Sequence, residues 1–85
     1  MRDVTVYLFA RPRELLDGAA SLVLRLPASA TVCDARAALA AAAPVLAPLL
    51  GSCVIAISDA VIALDAESTT QCTSEIALIP PVSGG

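Results

Sequence analysis

The stretch Glu75–Gly85, with the sequence EIALIPPVSGG, decides the fold and the chemistry expected of this chain. Apolar residues alternate through Glu75–Ile79 and predict a last strand. Two prolines end that strand, because each lacks an N–H and fixes φ. Gly84 and Gly85 have no Cβ, which lets backbone enter a narrow slot. We expect a flexible, inserting tail over 80–85 with a free carboxylate on Gly85; the alternative is an inert terminus. The tail residues are Pro80, Pro81, Val82, Ser83, Gly84 and Gly85.

The composition indicates one small domain, which we place at residues 1–79. Of the 85 residues 58% are hydrophobic but only 2% are aromatic, so the core must be built from Val, Leu, Ile and Ala. This apolar content exceeds the needs of so small a core and favours a partner interface. The formal net charge of −3 argues against nucleic acid or an anionic membrane and favours a basic partner.

The chain has neither His nor Lys, and therefore lacks the commonest general base. Catalysis by this chain alone is not expected. Its three cysteines, Cys33, Cys53 and Cys72, form no C-x-x-C pair and are odd in number. We predict reduced, structural thiols and no metal site. The alternative is that one of them is a resolving or reactive thiol, for which Cys72, in a polar segment, is the best candidate, although no neighbour in sequence would lower its pKa.

An uncharged run of 22 residues, Ala37–Ser58, is long enough to span a bilayer. Pro44, Pro48 and Gly51 interrupt it, and no basic cluster flanks it. Val4–Ala10 is too short and too polar for a secretory signal. We therefore predict a cytoplasmic protein.

The hydrophobic periodicity switches several times between two and about 3.6, which is typical of an α+β fold. Thr31 is a predicted N-cap for the main helix, and Asp34 suits its positive end. Val32, Ala35 and Leu39 form its packing face. The elements predicted in chain order are a strand (4–9), a short helix (11–18), a strand (22–26), the main helix (31–43), two strands (53–58 and 61–64), a polar loop (67–74) and the last strand (75–79).

This order and the glycine tail resemble the ubiquitin-like β-grasp, a mixed sheet of about five strands around one main helix. The tail is similar to that of the MoaD family, the small sulfur-carrier subunit of molybdopterin synthase, which ends in P-P-[apolar]-[Ser/Thr]-G-G. Leu8-Phe9-Ala10-x-x-Arg13-Glu14 and Thr31-Val32 also resemble family segments. Where D-G-D-E is common in the family, this chain has Cys72-Thr73-Ser74-Glu75, of which only Glu75 matches. It also departs at Ala35 and Ser58, where Leu and Asn are usual.

The resemblance implies a chemistry centred on Gly85. A ubiquitin-activating-type adenylyltransferase would use ATP to adenylate its carboxylate, and a sulfur donor protein would convert the adenylate into a thiocarboxylate. The tail would then enter the large synthase subunit and deliver sulfur to cyclic pyranopterin monophosphate during molybdenum cofactor biosynthesis. The implied assembly is a heterotetramer of two small and two large subunits. The active site lies on the large subunit, and no cofactor is bound permanently.

Successive side chains of a strand point to opposite faces, so the sequence predicts two different faces for the sheet. We expect Val6, Leu8, Ile62, Leu64, Ile76 and Leu78 to face the helix. Phe9, Val61 and Ile79 would then lie on the opposite face, and the resemblance implies that they contact the large subunit; otherwise they are core or isolated surface residues. Arg13 and Glu14 serve either local helix structure or partner contact.

Three other functions remain open. A thiamine-pathway sulfur carrier shares the glycines and the activation step. A ubiquitin-related modifier would be conjugated through Gly85 to lysines of targets or would donate sulfur to tRNA. A plain interaction domain would carry an inert tail. The identity of the partner discriminates among them.

Overall fold

The computed structural model describes residues 1–81, so that the predicted tail residues Val82, Ser83, Gly84 and Gly85 lie outside the described range. The first half contains β1 (Arg2–Leu8), α1 (Ala10–Leu15), β2 (Ser21–Leu26) and α2 (Val32–Ala42). The second half contains α3 (Ala47–Leu50), β3 (Val54–Ile57), β4 (Ala60–Ile62) and β5 (Glu75–Ile79). Single turns of 3-10 helix span Pro44–Leu46 and Leu64–Ala66.

The five strands form one mixed sheet with the order β2-β1-β5-β3-β4. The central pair, β1 and β5, is parallel, with Val6 opposite Ile76 and Leu8 opposite Leu78. The other three pairs are antiparallel. This arrangement is the predicted β-grasp, in which the first and last strands lie side by side within the sheet and the main helix packs on one of its faces.

The main helix α2 begins and ends where the sequence predicted. Thr31 Oγ1 accepts from the Asp34 N–H at 3.2 Å, and Asp34 Oδ2 accepts from the Thr31 N–H at 2.9 Å, forming a capping box. The helix stops at Ala43, immediately before Pro44, because proline disfavours helical backbone in the preceding residue. Val32, Ala35 and Leu39 are buried against the sheet.

The core consists of small and branched aliphatic side chains between α2 and one face of the sheet. Every second residue of the two central strands contributes: Val4, Val6 and Leu8 from β1, and Ile76 and Leu78 from β5. Leu46, Leu50 and Ile55 complete this layer. We refer to this face as the inner face and to the opposite one as the outer face.

The prediction that Leu64 faces the helix is wrong. Strand β4 is a three-residue edge strand that ends at Ile62, and Leu64 begins a 3-10 turn whose Glu67 N–H bonds the Leu64 carbonyl. The turn directs the Leu64 side chain off the sheet, where 60% of its surface is exposed.

A buried ion pair, which the sequence did not predict, joins α2 to the loop after β4. The guanidinium of Arg36 donates to both carboxylate oxygens of Glu67, at 2.9 and 2.7 Å. It also donates to the carbonyls of Leu50 and Cys53. The hydrogen bond to Glu67 raises the pKa of Arg36. The segment predicted as a polar loop is therefore fixed to the helix at its first residue.

Candidate functional site

The outer face carries a row of cross-strand neighbours that spans four strands. Tyr7 of β1 lies opposite Ala77 of β5, Ala77 lies opposite Ala56 of β3, and Ala56 lies opposite Val61 of β4. Two methyl side chains thus occupy the middle of the row, with larger side chains at both ends. The two small side chains between larger ones leave a shallow depression, which we call the alanine trough.

The structure brings the three predicted interface residues together around this trough. Phe9, Val61 and Ile79 all contribute to its lining. Phe9 is 48% and Val61 61% exposed, whereas Ile79 is half-buried. Apolar side chains of this size gathered on an exposed face are typical of a protein contact surface. Their role in binding stays a prediction.

Local backbone geometry explains why Phe9 lies at the end of the trough instead of continuing β1. Phe9 is extended, with φ −137°, and acts as the N-cap residue of α1. Ala10 then adopts φ +53°, a left-handed conformation that is uncommon for a residue with a Cβ. The chain turns sharply into α1, and Pro12 is buried beneath that turn. The turn leaves the Phe9 ring exposed beside the last residue of β5.

The opposite end of the trough is formed by the hairpin between β3 and β4. Ile57 pairs with Ala60, so the loop consists of Ser58 and Asp59, with φ +49° and +67°. Positive φ at both positions defines the type I′ turn that suits a two-residue hairpin. The turn places Asp59 on the rim of the trough, next to Val61.

Tyr7 and Glu75 form the polar edge of the trough. The Tyr7 hydroxyl donates to Glu75 Oε2 at 2.8 Å across the parallel strand pair. This hydrogen bond and the negative charge of Glu75 raise the pKa of Tyr7 above 10.0. The trough lining therefore includes two carboxylates, Glu75 and Asp59, and no cationic side chain within residues 1–81.

The C-terminal tail begins beside the alanine trough. Strand β5 ends at Ile79, which lines the trough, and Pro80 and Pro81 follow outside the strand. The predicted roles of Val82, Ser83, Gly84 and Gly85 fall outside the described residues. The exposed apolar surface and the start of the tail are thus adjacent.

Arg13 and Glu14 are exposed but do not line the trough. Arg13 Nε donates to the Gly18 carbonyl at 3.1 Å, and the Gly18 N–H donates to the Arg13 carbonyl at 2.9 Å. Gly18 has φ +82°, which a residue without Cβ adopts at little cost. Arg13 thus stabilises the C-terminal end of α1, which supports its predicted role in local helix structure. A partner contact by Glu14 stays a prediction.

The cysteines are free and occupy different environments. Cys33 is exposed near the start of α2, whereas Cys53 and Cys72 are buried. Burial raises the pKa of both buried thiols. The suggestion that Cys72 is the candidate reactive thiol is wrong, because its neighbours in sequence are polar but its own side chain is only 1% exposed. Cys53 and Cys72 fill the core.

Two further properties concern residues 1–81. No group of three or more His, Cys, Asp or Glu side chains there is arranged to hold a metal ion. No single helix there is long and apolar enough to cross a membrane. The segments Val32–Ala42 and Pro44–Leu50 reach that length and apolar content only when they are taken together, and a bend of 110° separates them.

A mixed five-stranded sheet with a parallel central pair and one main helix on its inner face is a ubiquitin-like β-grasp. The chain belongs to the ThiS family, whose model matches residues 6–85. This match includes the proline–glycine tail as well as the folded domain.

Solved structures agree with this assignment and confirm the predicted fold. The crystal structure of SAMP1 from Haloferax volcanii has a TM-score of 0.77 and 26% identity, over 99% of this chain and 100% of that one. The solution structure of the small archaeal modifier protein 1 from Methanosarcina acetivorans has a TM-score of 0.76 and 30% identity, over 100% of this chain and 98% of that one. No match was found among curated proteins.

Proposed function

We propose that this protein is the sulfur-carrying small subunit of molybdopterin synthase and that Gly85 carries the sulfur. The observation that carries the sulfur-carrier part of the proposal is the ThiS family match through residue 85. The assignment to molybdopterin synthase rests on the Pro-Pro-Val-Ser-Gly-Gly ending, which resembles that of the MoaD family. The position of Ile79 supports it, because the tail starts beside the exposed alanine trough. A partner that binds the trough would receive the tail in the same encounter.

The first step is activation of the Gly85 carboxylate. A carboxylate oxygen attacks the α-phosphate of ATP on an adenylyltransferase, forming an acyl-adenylate and releasing pyrophosphate. A carboxylate is a poor acyl donor until its oxygen becomes a good leaving group, which AMP provides. The chain supplies only the carboxylate, which suits a sequence without His or Lys.

The second step replaces oxygen by sulfur. The terminal sulfur of a persulfide on the donor protein attacks the acyl carbon and displaces AMP, leaving an acyl disulfide. A thiol then reduces that S–S bond, forming a disulfide with the donor sulfur and releasing the Gly85 thiocarboxylate. The sulfur atom at Gly85 is the cargo, and no cofactor of this chain takes part.

The third step transfers the sulfur in the large subunit. The thiocarboxylate sulfur attacks a side-chain carbon of cyclic pyranopterin monophosphate and displaces an oxygen substituent from that carbon, which forms a thioester. Water then cleaves the bond between the acyl carbon and the sulfur, so that the Gly85 carboxylate is returned and the sulfur stays on the pterin. Two deliveries supply the two sulfurs of the dithiolene, which suits a heterotetramer with two small and two large subunits. We propose that this cycle runs in the cytoplasm.

Intact-mass measurement with C-terminal fragmentation tests the sulfur-carrier proposal. The chain is incubated with ATP, the adenylyltransferase and a persulfide donor, alongside a variant that lacks Gly85. We expect one oxygen to be replaced by sulfur at Gly85 in the full chain and no change in the variant. Localisation to Gly85 distinguishes this product from oxidation of Met1 or the cysteines. An unmodified Gly85 beside an active control carrier would overturn the proposal.

The acceptor separates molybdopterin synthesis from a second candidate function. The likeness to small archaeal modifier proteins favours a modifier that forms an isopeptide bond through Gly85. The activated chain is therefore offered in parallel to a large synthase subunit with the pterin precursor and to lysine-bearing proteins from the same cell. Dithiolene formation supports the synthase, and lysine adducts support the modifier. Delivery only to a thiazole synthase would point to the thiamine pathway.

A further inference from the structure

We propose that the alanine trough binds one arginine or lysine side chain, set in an apolar patch on the surface of the activating adenylyltransferase. The stem of that side chain lies over the two alanines, and its cationic head pairs with Glu75 or Asp59. This inference rests on the proposed function, because activation brings the enzyme to the tail. It adds the chemistry by which the partner is recognised.

The shape of the trough suits a single unbranched stem. Its floor is formed by Ala56 and Ala77, which lie directly opposite each other on β3 and β5. Tyr7 and Val61 lie at the two ends of the same row and extend further from the sheet. The methylene groups of lysine and arginine commonly lie along apolar surface while the charged head reaches a polar edge.

The charges around the trough favour a cation. Two carboxylates line it: Glu75 at the start of β5 and Asp59 in the turn between β3 and β4. No Arg of residues 1–81 lines it. Arg25, on the outer face of β2, pairs with Asp3 at 3.1 Å, which neutralises both charges locally. Tyr7 donates to one oxygen of Glu75 and orients a carboxylate whose remaining lone pairs can accept from a partner.

The same charges argue against other occupants. A second copy of the chain docked through this face would add two more carboxylates and, within residues 1–81, no cationic side chain from its own trough lining, so that Glu75 and Asp59 would gain no partner of opposite charge. An anionic lipid surface or a nucleic acid would be repelled by these carboxylates. The chain's own tail, from Val82 to Gly85, contains no cationic side chain. A basic residue of the enzyme satisfies both the shape and the charge.

Calorimetric binding to the adenylyltransferase at low and high salt tests the role of charge. The test variant combines Glu75→Gln with Asp59→Asn, and the control variant combines Asp17→Asn with Asp65→Asn. Both variants lose two negative charges, and the control residues are exposed and lie outside the trough. Asn is suited to the positive φ of Asp59 and of Asp17.

At low salt we expect the test variant to bind about tenfold more weakly than wild type, because charges at an interface edge act chiefly when screening is weak. The control should remain within about twofold of wild type, since Asp17 and Asp65 lie outside the trough and the Coulomb energy falls with distance from the partner's charge. At high salt the difference between the variants should shrink. Equal affinity of the test variant and wild type at both salt concentrations would overturn the inference.

Filling the trough provides a second test that does not depend on charge. Ala77→Leu places a larger side chain on the floor, whereas Ala63→Leu enlarges an exposed alanine outside the lining. We expect Ala77→Leu to weaken binding at both salt concentrations and Ala63→Leu to leave it unchanged. Thermal unfolding of each variant confirms that the domain is folded. Unchanged binding by folded Ala77→Leu would exclude the trough as the binding site.

These results also separate this inference from the proposed function. If the wild-type chain is adenylated and thiolated but the trough variants bind like wild type, the sulfur-carrier function stands and the trough inference fails. If the wild-type chain neither binds the enzyme nor is adenylated, both fail.

Discussion

The inner and outer faces of the sheet are built from alternate residues of the same strands, yet they differ in almost every physical respect. On the inner face, Leu8, Ile55 and Leu78 are fully buried under the main helix. On the outer face, their neighbours include two alanines, an exposed phenylalanine and an exposed valine around an open trough. One face therefore stabilises the domain, while the other leaves apolar surface exposed for a partner.

The buried Arg36–Glu67 pair, on the helix side, should give the largest effect on stability. Glu67→Ala leaves the Arg36 charge largely buried without its partner, which costs about 3–5 kcal/mol of unfolding free energy. Urea denaturation measures this loss. The double variant Arg36→Met, Glu67→Leu should recover only part of it, because the carbonyls of Leu50 and Cys53 would lose the Arg36 donor and that of Leu50 would keep only the Cys53 N–H. A loss below about 1 kcal/mol for Glu67→Ala, the range of exposed ion pairs, would contradict this account.

Creating a cavity on the inner face should cause the second-largest loss of stability. Leu78→Ala removes a side chain that is 0% exposed and should destabilise the domain by about 2–5 kcal/mol. Val61→Ala, on the outer face, should change stability by no more than about 0.5 kcal/mol, since exposed substitutions usually do. Urea denaturation of both variants compares the faces directly, and equal losses would break the comparison.

The outer face should show its effect in binding instead. Val61→Ser should weaken binding to the adenylyltransferase about tenfold, equivalent to about 1.4 kcal/mol. Val23→Ser is the matched control, because Val23 is similarly exposed on the same sheet but lies outside the trough. Calorimetry should show normal affinity for that control. Similar losses for the two variants would mean that the contact is not centred on the trough.

The smallest effect concerns the titration of Tyr7. This is the chain's one tyrosine and there is no tryptophan, so tyrosinate absorbance reports on Tyr7 alone. The midpoint should lie above 10.0 and fall towards that value in Glu75→Ala, because Glu75 stabilises the protonated hydroxyl. With a raised pKa in the folded state, the contribution to stability is present below about pH 10 and is lost as pH rises through the folded value. A midpoint unchanged by Glu75→Ala would show that the pair does not form in solution.

Much of the fold could be predicted because its signals are local. Thr31, Asp34 and Pro44 specify the limits of the main helix through capping and proline geometry. Glu75–Ile79 alternates strictly and forms a strand with those same limits. The same alternation separated Phe9, Val61 and Ile79 from the inner face, although it also placed Leu64 wrongly, since period two cannot reveal where a short edge strand stops.

The remaining features depend on contacts between residues that are distant in sequence. Arg36 and Glu67 are 31 positions apart, and neither has a local pattern that identifies its partner. Cys72 lies among polar neighbours, and only its packing in the folded chain shows that it is buried. The floor of the trough likewise depends on the register of β3 with β5, which places Ala56 beside Ala77.

The sequence by itself determined the periodicity, the limits of the main helix, the proline–glycine tail and the absence of histidine and lysine, because these follow from local backbone preferences and composition. Only the tertiary structure decided which strands are neighbours, which polar groups are buried and where the exposed apolar residues converge. Strand order and register are set by non-local packing, in which each strand buries its apolar residues against whichever elements the whole chain brings to it.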